Sequence, residues 1–366
     1  MTVLCLFRRS KMKTKSELFE KLRCPSQGDK ILLLTHTDLD GAGAAILARL
    51  HYADVTVKHC PNNTMSRDIL EACLAGPNEY DFIFACDISC NDEDAESIEA
   101  SPWARDHFVL IDHHPTAMHL NSYNWAVIYS DMVADSFRAA EYPDPSLGHS
   151  SGTGLFYDYL CFKYKDDNMH PTVKEFVRLV SMYDTWDWTT IFNCTEAKEL
   201  SALCFLYGIE YFEETLNNRL SNSSCKYLFN CTDQIILKCE ENKIKSHLDR
   251  IRKSYKYGTI TLAGVTYNIV YCATSQYLPQ TFEDMKTRYP DRDIYMINCG
   301  NTVSMRSCKN DIDLGPIAKQ LGGGGHAGAA GVPIPYEKQI AYFESAIGSK
   351  FNYQLDNDQT DFFSRR

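Results

Sequence analysis

Three uninterrupted apolar runs, each broken by an acidic or histidine-bearing turn, constrain this chain more than any other feature. Ile31-Leu32-Leu33-Leu34-Thr35 runs into His36-Thr37-Asp38-Leu39-Asp40-Gly41, Phe82-Ile83-Phe84-Ala85-Cys86 into Asp87, and Phe108-Val109-Leu110-Ile111 into Asp112-His113-His114. None alternates apolar with polar residues, so each reads as a strand buried on both faces, as in a parallel sheet. Charged groups at the mouth of such a strand are costly unless they find partners. In open α/β sheets that edge, outside the carboxyl ends of the strands, is where ligands bind.

The segments between the runs carry helical patterns. Ser16 to Leu22, Ala42 to Leu50, Ser66 to Leu74, Asp92 to Ala100 and Gly152 to Phe162 read as helices, with Val55 to Lys58 a further strand. Val173, Phe176, Val177, Val180 and Tyr183 recur at helical spacing, so Pro171 to Tyr183 forms an amphipathic helix that delivers Asp184. Tyr183, Trp186 and Trp188 flank that aspartate, and at this spacing they read as core. Glu196 to Lys253 looks helical and polar, with a break near Ser221 to Ser224. Strands are then expected at Thr259–Leu262, Tyr267–Tyr271, Ile294–Asn298 and Thr302–Arg306, with helices at Thr281–Arg288 and Asp313–Leu321. The fold class is therefore α/β, in four parts. Residues 1–195 are expected to form a parallel-sheet domain that carries these acidic and histidine residues, and 196–254 a helical connector. Residues 255–351 form a smaller C-terminal α/β domain, and 352–366 a disordered tail.

Composition excludes several functions. A net charge of −11 over 366 residues argues against a protein that coats long duplex nucleic acid through a broad basic face. The 15 cysteines are scattered without a CxxC pair, which argues against a zinc ribbon and for reduced thiols in the cytoplasm. The N-terminus has its apolar patch before its basic cluster, the reverse of a signal peptide, and no apolar run is long enough to span a membrane.

Asp38, Asp40, Asp87, Asp112 and Asp184 together would form a cluster of like charge whose pKa values rise unless cations neutralise it. Carboxylates with imidazoles and no thiolate suit Mn²⁺, or Mg²⁺ or Co²⁺, and two such ions can clamp a phosphoryl group. An EF-hand reading of His36 to Gly41 fails, because the first ligand would be His and the bidentate position falls on Leu47.

His36-x-Asp38-x-Asp40-Gly41, Asp87, Asp112-His113-His114 and Asp184, in this order, resemble the four motifs of the DHH phosphoesterase superfamily. Gly322 to Gly331 resembles the glycine-rich signature of the DHH-associated C-terminal domain. The details of Leu34 to Gly41, Leu110 to His114 and Tyr183 to Trp186 resemble in particular the nanoRNase B type of oligoribonuclease. Many members place three residues between the first histidine and aspartate; here there is one.

The resemblance implies that His36, Asp38 and Asp87 hold one metal and that Asp40, Asp87, His113 and Asp184 hold the other, with Asp87 bridging. His114 would face the substrate, with Asp112 orienting a histidine behind it. Arg306 and Gly323, Gly324, Gly325 and His326 would bind substrate phosphate. The implied activity is a two-metal exonuclease that degrades short RNA to 5′-mononucleotides. The alternatives are hydrolysis of linear or cyclic dinucleotides or of a nucleoside bisphosphate, an inorganic pyrophosphatase, or an inactive binding module. Short RNA oligonucleotides or dinucleotides are the expected partners, with no membrane; the oligomeric state is left open, a dimer included.

Overall fold

The apolar runs form the strands expected of them. The computed structural model describes residues 15–130, 149–165, 170–224 and 226–348; the N-terminal basic cluster and the expected tail lie outside these. The chain divides into two units, residues 1–237 and 238–366.

In the first unit, β1 (Lys30–Thr35), β2 (Asp54–His59), β3 (Phe82–Cys86), β4 (Phe108–Asp112) and β5 (Ala126–Ile128) make a fully parallel sheet in the order β2-β1-β3-β4-β5. Alternate residues of each central strand enter opposite cores. Ile31, Leu33, Phe82, Phe84, Val109 and Ile111 pack with the helices Leu39–His51, Gly152–Tyr164 and Pro171–Asp184. Leu32, Leu34, Ile83, Ala85, Phe108 and Leu110 pack with Met65–Ala75 and Asp92–Ala100. A sheet covered on both faces explains why the strands show no polar alternation. The three-residue β5 and the helix Pro102–His107 are too short to have stood out in the sequence.

The stretch 196–254 divides between the units. Helices Thr195–Tyr207 and Ile209–Leu220 send Ala197, Leu200, Leu203, Phe212 and Leu216 into the first unit's core. The helix Cys231–Ile251 crosses the division. Its first turn is tied to the first unit by Asp233, a buried acid bonded to Arg219 at 2.7 Å and to the Tyr207 hydroxyl at 2.6 Å.

The second unit is built on a mixed six-stranded sheet, β10-β11-β9-β8-β7-β6. Its strands are β6 (Lys256–Leu262), β7 (Val265–Ala273), β8 (Ile294–Asn298), β9 (Thr302–Arg306), β10 (Gly324–His326) and β11 (Ala329–Pro333). Helix Leu278–Arg288 covers one face through Phe282 and Met285; Leu314–Gln320 covers the other through Leu314, Ile317 and Ala318. The glycine run is thus a hairpin, not a linker. Gly325 sits at φ +147°, and a Cβ there would lie 2.4 Å from the Ala329 carbonyl oxygen. Glycine is required because the two backbones pass where no side chain fits.

Gly325→Ala is expected to destabilise this unit by about 1–3 kcal/mol. Hydrogen exchange should then quicken across β9 to β11 and stay unchanged across β1 to β4. Equal protection of β9 to β11 in both proteins would refute this account of the hairpin.

Candidate metal centre

Four connections converge on the carboxyl edge of the first sheet. After β1 the chain turns sharply, and Asp38 caps the helix Leu39–His51 by accepting from the Gly41 amide at 3.1 Å. Its other carboxylate oxygen lies 2.6 Å from His36 Nδ1. A strand-end aspartate often serves as a helix cap; here Asp38 is a cap and a member of the cluster.

Asp40 is buried in the first turn of that helix. It accepts the Gly152 amide at 2.7 Å and the Thr153 amide at 2.9 Å, both at the N-terminus of helix Gly152–Tyr164. The Thr153 hydroxyl donates to the Asp40 carbonyl at 2.6 Å. The amides at a helix N-terminus lack partners within the helix, and Asp40 supplies two of them with acceptors. The approach is so close that a Cβ on Gly152 would meet the Asp87 Cβ at 2.6 Å. Gly152 and Thr153 were not anticipated as site residues. Their signal was a small-residue start, Ser151-Gly152-Thr153-Gly154, read only as the beginning of a helix.

Asp87 ends β3 in a left-handed conformation, φ +60°, uncommon for a residue other than glycine. It is 3% exposed, and burial, then the neighbouring Asp40, Asp38 and Asp184, push its carboxyl well above the usual range. Asp184 is the last residue of helix Pro171–Asp184, where the carbonyl end of the helix disfavours a negative charge. Burial and the nearby carboxylates Asp40 and Asp38 push it up to about 8. Asp112, fully buried, accepts from the His113 amide and from His114 Nδ1, both at 2.8 Å. The half-exposed His114 is raised to about 9, chiefly by its bond to Asp112.

The centre of this arrangement is His113 Nε2. It lies 3.3 Å from Asp184 Oδ2, 3.4 Å from Asp87 Oδ1 and 3.9 Å from Asp40 Oδ2. Asp87 Oδ1, Asp112 Oδ2, His113 Nε2 and Asp184 Oδ2 are all buried and lack a hydrogen-bond partner. Buried polar atoms are nearly always paired, so three orphans converging at one point, Asp87 Oδ1, His113 Nε2 and Asp184 Oδ2, call for a cation. The donor sets agree. Ligating atoms of His36, Asp38 and Asp87 lie within 4.8 Å of one another, as do those of Asp40, His113 and Asp184, and those of Asp87, Asp112, His113 and His114. Cys86, beside Asp87, is no competitor, because burial and the adjacent carboxylates hold its thiol well above the usual range. All six expected metal residues, with Asp112 and His114, therefore meet at one edge.

The expected phosphate-binding residues lie in the second unit. The register places His326, Ala329 and Arg306 in one cross-strand row. The Arg306 guanidinium packs over the Phe282 ring at 5.0 Å and donates to the Met305 carbonyl at 2.9 Å. Gly323, Gly324, Gly325 and His326 line an open groove of about 720 Å³ with Asp313, Gly315 and Lys319. One expectation fails. Tyr183 and Trp188 pack on the core, but Trp186 is 62% exposed and held at φ +64°. That left-handed backbone turns its ring out of the helical stripe which its spacing suggested.

No protein-family model matches the chain. The chain is 31% identical over 317 residues to oligoribonuclease NrnB of Bacillus subtilis, a match covering 83% of this chain and 73% of that protein. Among solved structures it is similar to the pGpG-specific phosphodiesterase PggH of Vibrio cholerae, at 15% identity and a TM-score of 0.47, over 87% of this chain and 97% of that one. It is also similar to RecJ in complex with Mg²⁺ from Thermus thermophilus, at 11% identity and a TM-score of 0.46, over 96% of this chain and 56% of that one.

The raised acids fix the sign of a stability effect. A carboxyl raised in the folded state stabilises the fold below its ordinary pKa, and that contribution is lost as pH rises through the raised value. His114, also raised, acts in the same direction. Metal-free protein is therefore expected to melt roughly 3 °C or more lower at pH 8.5 than at pH 6. Mn²⁺ should close the gap, and Asp184→Asn should narrow it without metal. A melting temperature indifferent to both pH and Mn²⁺ would refute the charge cluster.

Proposed function

The chain belongs to the DHH phosphoesterase superfamily, in the family of oligoribonuclease NrnB, and from that premise we propose that it hydrolyses very short oligoribonucleotides to 5′-mononucleotides with two divalent metal ions. The observation that carries the reading is the convergence of unpaired Asp87 Oδ1 and Asp184 Oδ2 on unpaired His113 Nε2, at 3.3–3.4 Å.

His36, Asp38 and Asp87 hold one ion in this reading; Asp40, Asp87, His113 and Asp184 hold the other, with Asp87 shared. Oxygen and imidazole donors with no thiolate favour Mn²⁺, with Mg²⁺ or Co²⁺ as substitutes. Such ions, when bound, supply a water of lowered pKa and offset the charge that develops on the phosphoryl group.

The protein's own groups do the rest. Asp112 fixes the His114 ring through Nδ1, leaving Nε2 as a charged donor toward a phosphate or leaving oxygen. Arg306 and the Gly323–His326 backbone contact substrate phosphate, and exposed glycine amides allow an anion to approach closely. Among the described residues no helix is long and apolar enough to cross a membrane. Cysteines such as Cys60, Cys73, Cys86, Cys90 and Cys272, buried as thiols, support a reducing, cytoplasmic setting.

Purified protein with Mn²⁺ should release mononucleotides from oligoribonucleotides of two to five residues faster than from a twenty-mer. Activity confined to cyclic dinucleotides, a nucleoside bisphosphate or pyrophosphate would sink this assignment. Asp112→Asn should lower turnover roughly 10–100-fold, the usual effect of losing a partner that orients a ligand. Asp87→Asn should cost more than that, and near-normal turnover in it would remove Asp87 from the centre.

A further inference from the structure

Behind the turn that carries His36 lies a charged group for which the reaction has no use. Glu213, on helix Ile209–Leu220, is 2% exposed. One of its oxygens accepts from His59 Nε2 at 2.7 Å, and the other from the Arg49 guanidinium. His59, at the end of β2, donates through Nδ1 to the His36 carbonyl at 2.6 Å. Both imidazole nitrogens are thereby committed. Arg49, Glu213 and His59 form a chain of hydrogen bonds that ends on the backbone of a candidate ligand.

We propose that Glu213, through His59, is a positioning residue that fixes the His36 backbone and so sets the affinity of the His36–Asp38 half of the centre. The proposal rests on the two-metal reading. A buried carboxylate needs hydrogen-bonded partners, and here both of its oxygens have them. His36 needs such an anchor. Its ring is partly exposed and bonds to the still more exposed Asp38 within its own turn and to Asn62. Asp40, by contrast, is clamped directly by two amides. Groups that orient a ligand typically change metal affinity 10–100-fold when removed. Glu213 lies 154 residues along the chain from His59, so the contact is visible only in the folded molecule.

The test is Mn²⁺ binding to metal-stripped protein by titration calorimetry, with turnover measured against Mn²⁺ and against a diribonucleotide. Wild type should show two binding events; fewer would overturn the two-metal reading and the proposal with it. With two events present, Glu213→Gln, which keeps the shape, should weaken one of them about tenfold or more. The Mn²⁺ needed for half-maximal rate should rise to match, with KM for the diribonucleotide within about twofold of wild type. His59→Gln should do the same if Glu213→Gln proves unstable. The exposed neighbour Glu214→Gln should change nothing. In a His36→Ala background, loss of Glu213 should add no further weakening, because its influence passes through His36. Unchanged Mn²⁺ affinity in both folded variants, or full additivity with His36→Ala, would overturn the proposal and leave the two-metal reading standing.

Discussion

Mutual repulsion among Asp40, Asp87, Asp112 and Asp184 is the constraint that the first unit is arranged around. Like charges buried at such spacing oppose folding, and two of the four are answered by different local devices. Asp40 takes two amides from a helix N-terminus. Asp112 is bonded to the amide of His113 and the ring of His114. Asp87 and Asp184 receive no such relief, and they are the acids whose pKa values rise most clearly. The positions left unneutralised are the ones that converge on His113 Nε2. Relief is withheld where a cation would supply it.

Such an arrangement needs a support that does not yield. The sheet provides it, because β1, β3 and β4 are clamped between two cores that share no residues. A connection leaving such a strand has its first residue placed by the whole sheet. The one strained backbone at the centre is Asp87 at φ +60°: its amide bonds the Ile111 carbonyl at 3.1 Å, and Gly152 passes it so closely that no side chain would fit between them. Strain persists only where the surroundings over-determine it.

Much of this was legible in the residue order. Uninterrupted apolar runs specify parallel strands, and strands that end in Asp or His specify what is delivered at their edge. Two physical causes hid the rest. Residues that meet only through tertiary folding, such as Glu213 and His59, carry no local signal; a buried glutamate on a polar helix looks like any surface glutamate. Backbone conformation at single residues is likewise unmarked. Nothing in Thr185-Trp186-Asp187 announced that Trp186 would be turned left-handed and outward, nor did the glycine run announce that Gly324 to His326 would pair as a strand.

The two halves of the centre are therefore built on different principles. Asp40 and Asp87 are buried and His113 half-buried, and their positions follow from packing and from backbone amides. His36 and Asp38 are more exposed, and each is the other's hydrogen-bond partner at 2.6 Å. His36 uses Nδ1 for that bond and Asp38 one carboxylate oxygen, so the pairing orients both side chains on the backbone beneath them. That division explains why a buried ion pair is spent on the carbonyl of His36 rather than on its ring. Fixing the backbone sets where the imidazole sits and leaves its ring nitrogens to partners of their own.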